Sequence, residues 1–240
     1  MPRYGRVLLK LSGEVLAGNK GEKNFGLDFE TVRRIGKEVA VVHGAGISVS
    51  MVVGGGNMLR GKDMEKLGIE RVQADYMGML GTVINALALQ DVLEQLQIPT
   101  RVQTAIEMRA VAEPYIRRRA LRHIEKGRVV IFAAGTGSPY FSTDTTAALR
   151  AAEMSVDCMV KGTKVEGIYD SDPKTNADAR LLPDVTYMEA LSRRIEVMDA
   201  SAFSLCMENK IPIVVMNILK SDNLISLLVK GEQIGTIVHD

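Results

Sequence analysis

Three glycine-rich segments stand out in the sequence, because glycine lets backbone N–H groups approach an anion closely. We call Ser12-Gly13 the first glycine segment, Gly54-Gly55-Gly56-Asn57 the second, and Gly135-Thr136-Gly137-Ser138-Pro139 the third. Glycine lacks Cβ and tolerates positive φ, and a helix that begins beyond such a segment adds a partial positive charge. One such segment is weak evidence, since tight turns between a strand and a helix also favour glycine. Three segments at one place would predict a phosphate site.

Charged side chains lie close to each glycine segment in the sequence. Lys10 precedes the first inside an apolar run, where an ammonium group is costly to bury without a partner but can neutralise a phosphoryl group in transfer. Arg60 follows the second and could clamp a phosphate through two hydrogen bonds. Asp144 follows the third and could orient Lys10 and other cations, or only cap a helix. Asp75, where a long helix begins, could accept hydrogen bonds from ribose hydroxyls.

The sequence shows no pairing of a nucleophile with a base, since His43, His123 and His239 are scattered. A phosphate monoester is already an anion near neutral pH, because its second pKa is about 6. Such an acceptor needs positioning and charge neutralisation rather than a general base. The residues therefore favour transfer between phosphates.

One apparent phosphate motif is misleading. Residues 56–62 match the pattern G-x-x-x-x-G-K, but Asp63 stands where a P-loop has the Ser or Thr that holds Mg²⁺. A carboxylate beside the phosphates would repel them, so we predict no P-loop.

Apolar periodicity indicates the elements that would position these residues. It predicts strands over 5–11, 47–53, 129–133, 156–160, 213–216 and 235–238, and a short hairpin over 164–169. It predicts helices over 29–42, 70–95, 113–126 and 143–152, and a last one that begins near residue 222. Strands that alternate with helices predict an α/β protein, a three-layer α/β/α sandwich with a mostly parallel sheet. Ligands of such sheets bind beyond the carboxyl ends of the strands, where each glycine segment falls.

Length and composition limit the class of protein. The chain has 240 residues, 46% hydrophobic and 25% charged, with a net charge of +1. These values are typical of one globular domain, and the near-neutral charge argues against a nucleic-acid partner. The sequence shows no signal segment and no apolar run long enough to span a membrane, so we expect a cytoplasmic protein.

Strings along nearly the whole chain make the sequence resemble the bacterial UMP kinases of the amino-acid-kinase superfamily. The strings, in chain order, are residues 8–14, residues 54–57 with Arg60-Gly61, Asp75 with residues 77–80, residues 135–144, residues 161–169 with Asp172-Pro173, and residues 197–199. The resemblance implies the amino-acid-kinase fold in one domain over 1–240, with UMP bound mainly by 1–155 and ATP mainly by 156–240. It implies transfer of the γ-phosphate of ATP to UMP, in pyrimidine nucleotide (CTP and UTP) biosynthesis.

The resemblance also implies roles for individual residues. The implied catalytic residues are Lys10, Arg60, Asp144 and Asp199. The implied ATP-binding residues are Lys10, Leu11, Ser12, Gly13, Gly56, Arg60, Thr163, Tyr169 and Asp172. The implied UMP-binding residues are Gly55, Asp75, Thr136, Gly137, Ser138, Pro139, Tyr140, Phe141, Ser142 and Thr143. Residues in the region linked to the response to GTP would be Gly21, Glu22, Lys23, Asn24, Phe25 and Gly26.

Partners follow from the resemblance in the same way. Mg²⁺ would arrive with ATP, with no metal site of the protein's own. The family is typically a homohexamer that GTP activates and UTP inhibits, and the helix from about Glu70 would contribute to the dimer contact. The loop 18–26 is longer than in some members, which leaves the regulation open. Two alternatives remain: an amino-acid or carbamate kinase of the same fold, and a non-catalytic nucleotide- or anion-binding protein of that fold.

Overall fold

The computed structural model of the protein describes residues 4–18, 25–59, 64, 67–173, 175–176, 178–193, 195 and 197–240. The strands are β1 Arg6–Leu11, β2 Ser48–Val53, β3 Thr100–Thr104, β4 Glu113–Pro114, β5 Val129–Ala133, β6 Cys158–Thr163, β7 Asp184–Thr186, β8 Ile213–Asn217 and β9 Thr236–His239. The helices are α1 Gly13–Leu16, α2 Phe29–Gly44, α3 Arg71–Gln95, α4 Arg117–Glu125, α5 Thr143–Glu153, α6 Tyr187–Ser192, α7 Ala200–Glu208 and α8 Asn223–Ile225, which continues as a π-helical turn over Ser226–Lys230.

The described strands form one nine-stranded sheet in the order β4-β3-β5-β2-β1-β6-β8-β9-β7. Neighbouring strands are parallel except β8 and β9, which are antiparallel. The predicted mostly parallel sheet is therefore confirmed. Strands from the first part of the chain, up to β5, lie on one side of β1, and those from β6 onward lie on the other.

Two apolar cores cover the two faces of the sheet, which confirms the three-layer sandwich. Successive side chains of a strand point to opposite faces, so Val7 and Leu9 of β1 join one core with helices α2 and α3, whereas Leu8 joins the other with α4, α5 and α7. Lys10 follows Leu8 at a spacing of two and therefore lies on the α5 side of the sheet.

Helix α3 is the longest helix of the described part of the chain and is apolar on most sides. Its 25 residues would be long and apolar enough to cross a membrane, but half of the relevant stretch is buried. It packs against α2, β3 and β5, as a core helix does. Three further apolar side chains of α3 are exposed, those of Tyr76, Leu80 and Ile84.

Two predicted elements differ from the structure. The predicted hairpin over 164–169 is wrong: Tyr169 instead pairs with Leu181 in an isolated antiparallel bridge across an irregular segment. The helix predicted over 113–126 begins only at Arg117, because Glu113 and Pro114 form the edge strand β4 beside β3. Proline disfavours helical backbone in the residue before it and has no N–H to donate.

Periodicity also missed the strands β3 and β7 and the helices α1, α6 and α7. Strand β3 is hidden by its composition, because Thr100, Gln103 and Thr104 are polar yet buried. Helix α6 carries a local signal in the sequence, since Thr186 and Glu189 form a capping box at its start.

Candidate active site

The three glycine segments meet at one edge of the sheet. Strands β5, β2 and β1 are adjacent and parallel, so their carboxyl ends, which lead into the segments, lie side by side. A Cβ added to Gly13 would come within 2.6 Å of the Gly56 nitrogen, and one added to Gly54 would lie 3.3 Å from the Thr143 hydroxyl. The backbone of the first and second segments is therefore in direct contact, with Thr143 beside them.

Asp144 lies between two lysines at this edge. Its Oδ1 is 2.8 Å from Lys10 Nζ, and its Oδ2 accepts a hydrogen bond of 2.5 Å from Lys161 Nζ. Lys10 on β1 and Lys161 on β6 are partners in the parallel register, which places their side chains next to each other. Both lysines are more than nine-tenths buried. One carboxylate thus holds two buried ammonium groups beside the glycine segments.

The two lysines and Asp144 perturb one another electrostatically. Burial alone would raise the pKa of Asp144, but the charges of Lys10 and Lys161 outweigh burial and lower it below its ordinary value. Burial and the neighbouring charge of Lys10 lower the pKa of Lys161 to about 8, although Asp144 opposes this. With two cations and one anion, this group of three carries an excess positive charge near neutral pH.

Asp199 lies on the other side of the start of α5. Ser142, the N-cap residue of α5, accepts hydrogen bonds from the Asp144 and Thr145 amides and donates its hydroxyl to Asp199 Oδ2. Thr145 donates a second, longer hydrogen bond of 3.3 Å to the same oxygen. Asp199 is the N-cap residue of α7, so it joins the starts of two helices close to the lysines.

A cleft of about 500 Å³ opens beside this edge. Its lining comes from the second glycine segment, the first turns of α3 and the third segment with the start of α5, and it includes Gly55, Gly56, Arg71, Asp75, Phe141, Ser142 and Thr143. One cavity therefore brings together several of the residues predicted to bind UMP, namely Gly55, Asp75 and 141–143.

Gly55 is the point at which the second segment touches α3. A Cβ at this position would lie 2.3 Å from the Gly78 carbonyl oxygen, which belongs to the backbone of helix α3 and therefore cannot yield easily. A Cβ at Gly56 would meet open space.

We therefore expect Gly55→Ala to lower the free energy of unfolding by about 1–3 kcal/mol, the usual cost of overpacking. Gly56→Ala is the matched control and should change it by less than about 0.5 kcal/mol, as a substitution into open space does. Urea unfolding followed by circular dichroism measures both. Equal stability of the two variants would contradict the close contact between Gly55 and α3.

The loop between β5 and α5 contains the other residues that were predicted to bind UMP. Thr136 and Ser138 bond to each other, and Gly137, with a φ of +81°, packs against Ala105. Beyond Pro139, the amide of Tyr140 donates to Asp75 Oδ2 at 2.8 Å. This bond fixes the loop to helix α3 across the cleft.

The residues predicted to bind ATP extend from the first segment towards β6. Leu11 ends β1, Ser12 occupies the position before the short helix α1, and Thr163 ends β6 two residues beyond Lys161. Tyr169 and Asp172 lie in the irregular segment after β6. Thr163 thus shares the sheet edge with Lys161.

Several predicted residues lie outside the described part of the chain: Arg60, Gly21, Glu22, Lys23 and Asn24. The adjoining residue Gly26 is described, and it is bound to the second glycine segment. Its amide donates to the Asn57 carbonyl oxygen at 2.8 Å, and the Asn57 side chain donates to its carbonyl oxygen at 2.7 Å. Phe25 next to it is exposed.

Sequence reasoning gave no role to two residues of the site, Lys161 and Arg71. Lys161 stands in a buried strand just before a glycine, a pattern close to that which singled out Lys10. Arg71 lies four residues before Asp75, the helical spacing of an ion pair. Its Nε lies 3.3 and 3.2 Å from the two Asp75 oxygens.

Comparisons with known proteins agree with this geometry. A model described as the amino acid kinase family matches residues 5–217. A curated uridylate kinase from Pediococcus pentosaceus is 56% identical over 238 residues, which are 99% of this chain and 97% of the relative. The crystal structure of UMP kinase from Bacillus anthracis has a TM-score of 0.94 at 39% identity, and covers 99% of this chain and 96% of its own. UMP kinase from Ureaplasma parvum has a TM-score of 0.91 at 38% identity, with coverages of 99% and 100%.

Proposed function

Because the chain belongs to the amino acid kinase family, we propose that it is a UMP kinase that transfers the γ-phosphate of ATP to UMP and yields ADP and UDP. The observation that carries this proposal is the position of Lys10, Lys161 and Asp144, where three glycine segments meet beside a cleft. The names of the relatives, uridylate kinase and UMP kinase, support UMP as the acceptor. The product UDP places the reaction in pyrimidine nucleotide biosynthesis.

The two substrates would approach the sheet edge from opposite sides. In the proposal, the triphosphate of ATP lies over the first glycine segment and Gly56, and its nucleoside extends towards Thr163, Tyr169 and Asp172. UMP occupies the cleft, with its phosphate towards Gly55 and Thr143 and its ribose towards Asp75. This arrangement brings the two phosphate groups together near Lys10 and Lys161.

Transfer then needs little covalent chemistry from the protein. An oxygen of the UMP phosphate forms a bond to the γ-phosphorus, while the bond from that phosphorus to the β–γ bridging oxygen breaks and its electron pair stays on ADP. Negative charge on the transferring group and on the leaving oxygen is stabilised by the two ammonium groups, which Asp144 holds in place beforehand. The amides of the glycine segments and the start of α5 add oriented positive dipoles.

We propose that Mg²⁺ enters as part of the substrate MgATP. Asp144 is already committed to two lysines and Asp199 to two hydroxyls. Within the described residues, no group of three or more His, Cys, Asp and Glu side chains is placed to hold a metal ion. The phosphates of ATP would then supply most of the ligands.

A coupled assay of ADP release tests the proposed acceptor. With MgATP present, UMP should be turned over fastest in a panel of UMP, CMP, dUMP, TMP, acetylglutamate, aspartate and carbamate. Turnover of an amino acid or carbamate without turnover of UMP would replace the proposal by the first alternative. Binding of ATP without turnover of any acceptor would replace it by a non-catalytic nucleotide-binding protein.

The lowered pKa of Lys161 predicts a pH dependence. The group stabilises transferring charge only when protonated, and its pKa in the free protein is about 8. We therefore expect kcat/KM for ATP, which reports the free enzyme, to fall above about pH 8, approaching tenfold per pH unit. In K161R the guanidinium stays protonated, so the residual activity should lose this fall. A flat wild-type profile up to pH 9.5 would contradict a required Lys161 ammonium.

We further propose that the protein works in the cytoplasm as a homohexamer that GTP activates and UTP inhibits. The exposed apolar side chains Tyr76, Leu80 and Ile84 of α3 support a contact between copies through this helix. The hydrogen bonds between Gly26 and Asn57 join the last residue of the proposed GTP-response region to the second glycine segment. Light scattering tests the proposed homohexamer, and reaction rates with and without GTP or UTP test the proposed regulation.

A further inference from the structure

Arg71 and Asp75 form an ion pair on the wall of the cleft, and the proposed reaction gives a role to Asp75 alone. They lie four residues apart near the start of α3, and Arg71 Nε contacts both carboxylate oxygens of Asp75, at 3.3 and 3.2 Å. Both residues line the cavity. The side chain of Asp75 is 25% exposed and that of Arg71 is 57% exposed, so this ion pair lies at the cavity rim.

Tyr140 contacts both members of this ion pair. Its amide donates to Asp75 Oδ2 at 2.8 Å, and its ring centroid lies 5.5 Å from the Arg71 guanidinium carbon. Tyr140 adopts a φ of +72°, which a residue with a side chain seldom does. The loop and α3 together therefore fix the direction of the Asp75 carboxylate.

A carboxylate has about four lone-pair positions, and Arg71 and Tyr140 engage only part of them. The remaining positions can accept hydrogen bonds from two neighbouring hydroxyls, as the 2′- and 3′-hydroxyls of a ribose would offer. A site discriminates against an analogue that lacks one hydroxyl when binding of that analogue leaves a carboxylate oxygen of the site without a hydrogen-bond donor. An unheld aspartate at a cavity rim could turn to water and escape this penalty, whereas an aspartate fixed by Arg71 cannot.

We propose that Arg71 is a positioning residue that fixes Asp75 and thereby sets the preference for a ribonucleotide over a deoxyribonucleotide acceptor. The inference rests on the proposed UMP kinase function and on the role proposed for Asp75. Arg71 acts through Asp75 and does not touch the transferring phosphate. Its removal should affect the binding of UMP much more than the chemical step.

The test compares UMP with dUMP as acceptors for the wild type, R71Q and R71K at saturating MgATP. For R71Q we expect KM for UMP to rise about tenfold, with kcat within about threefold of the wild type, as for a lost binding contact. KM for dUMP should change by less than about twofold, so that the ratio of kcat/KM for UMP to that for dUMP falls at least about fivefold. R71K keeps the positive charge, so its ratio of kcat/KM for UMP to that for dUMP should lie between those of R71Q and the wild type.

R118Q is the matched control, because Arg118 is an exposed arginine on α4 and its loss changes the net charge equally. It should leave the ratio within about twofold of the wild type. Thermal unfolding checks that R71Q is folded. If R71Q does not fold, the affinities of R71K for UMP and dUMP are measured by calorimetry instead. These two affinities should differ less in R71K than in the wild type.

Two results would overturn the inference while leaving the proposed function intact. An equal loss for UMP and dUMP would mean that Arg71 binds the acceptor directly or supports the cleft generally. An unchanged ratio in R71Q would mean that Asp75 needs no support. If the wild type does not phosphorylate UMP at all, the proposed function itself fails, and this inference fails with it.

Discussion

Asp144→Asn is expected to lower kcat at least about a hundredfold and the free energy of unfolding by about 3 kcal/mol. Asparagine has nearly the same shape but no charge, so Lys10 and Lys161 would remain buried beside each other without an anion. Their mutual repulsion would displace both ammonium groups from the place where the transferring phosphate needs them. The ADP-release assay and urea unfolding measure the two effects.

A double variant separates the loss of rate from the loss of stability. Asp144→Asn with Lys161→Met removes one of the two unpaired cations, so it should recover at least about half of the lost stability but none of the lost rate. Asp91→Asn, an equal charge change at an exposed position of α3, should leave both quantities nearly unchanged. Asp144→Asn with wild-type kcat would show that the carboxylate does not organise the cations.

Lys10→Met is expected to lower kcat at least about tenfold while the fold is retained. Methionine fills the space of the lysine stem, so the packing against the α5 side of the sheet is preserved. Because two lysines share one carboxylate, the loss of Lys10 leaves Lys161 and Asp144 as a neutral pair. The free energy of unfolding should therefore stay within about 1 kcal/mol of the wild type, in contrast to Asp144→Asn.

Lys37→Met on the exposed face of α2 is the control for Lys10→Met. It removes the same charge far from the glycine segments and should keep wild-type kcat. If Lys10→Met also kept its rate, Lys10 would have no part in the transfer and Lys161 alone would supply the charge.

The sequence was sufficient to predict the edge of the sheet at which the site lies. Lys10 was recognisable because a lysine in an apolar strand needs an anionic partner, and Asp144 because it follows a glycine segment that comes after another strand of the same predicted sheet. In a parallel sheet both positions must fall on the same edge. Lys161 has a similar signal, but its role depends on the pairing of β1 with β6, a long-range contact that periodicity cannot reveal.

The contacts among Arg71, Asp75 and Tyr140 can be predicted only in part from local sequence patterns. The spacing of Arg71 and Asp75 predicts an ion pair on any helix. The contact of Tyr140 with Asp75 depends instead on the path of the loop after β5. Likewise, β3 could not be predicted from hydrophobicity, because its buried Gln103 is accommodated by Glu113 of the strand beside it.

The outermost strands of the sheet constrain how copies of the protein can meet. At one border β4 has two residues, of which Pro114 has no N–H to donate, and at the other β7 has only three residues. Such short borders offer too few free backbone groups for a strand of another molecule to align and extend the sheet. Copies that meet through the described part of the chain would therefore do so through side chains on the helical layers, where single substitutions can strengthen or weaken the contact without disturbing the sheet that carries the lysines.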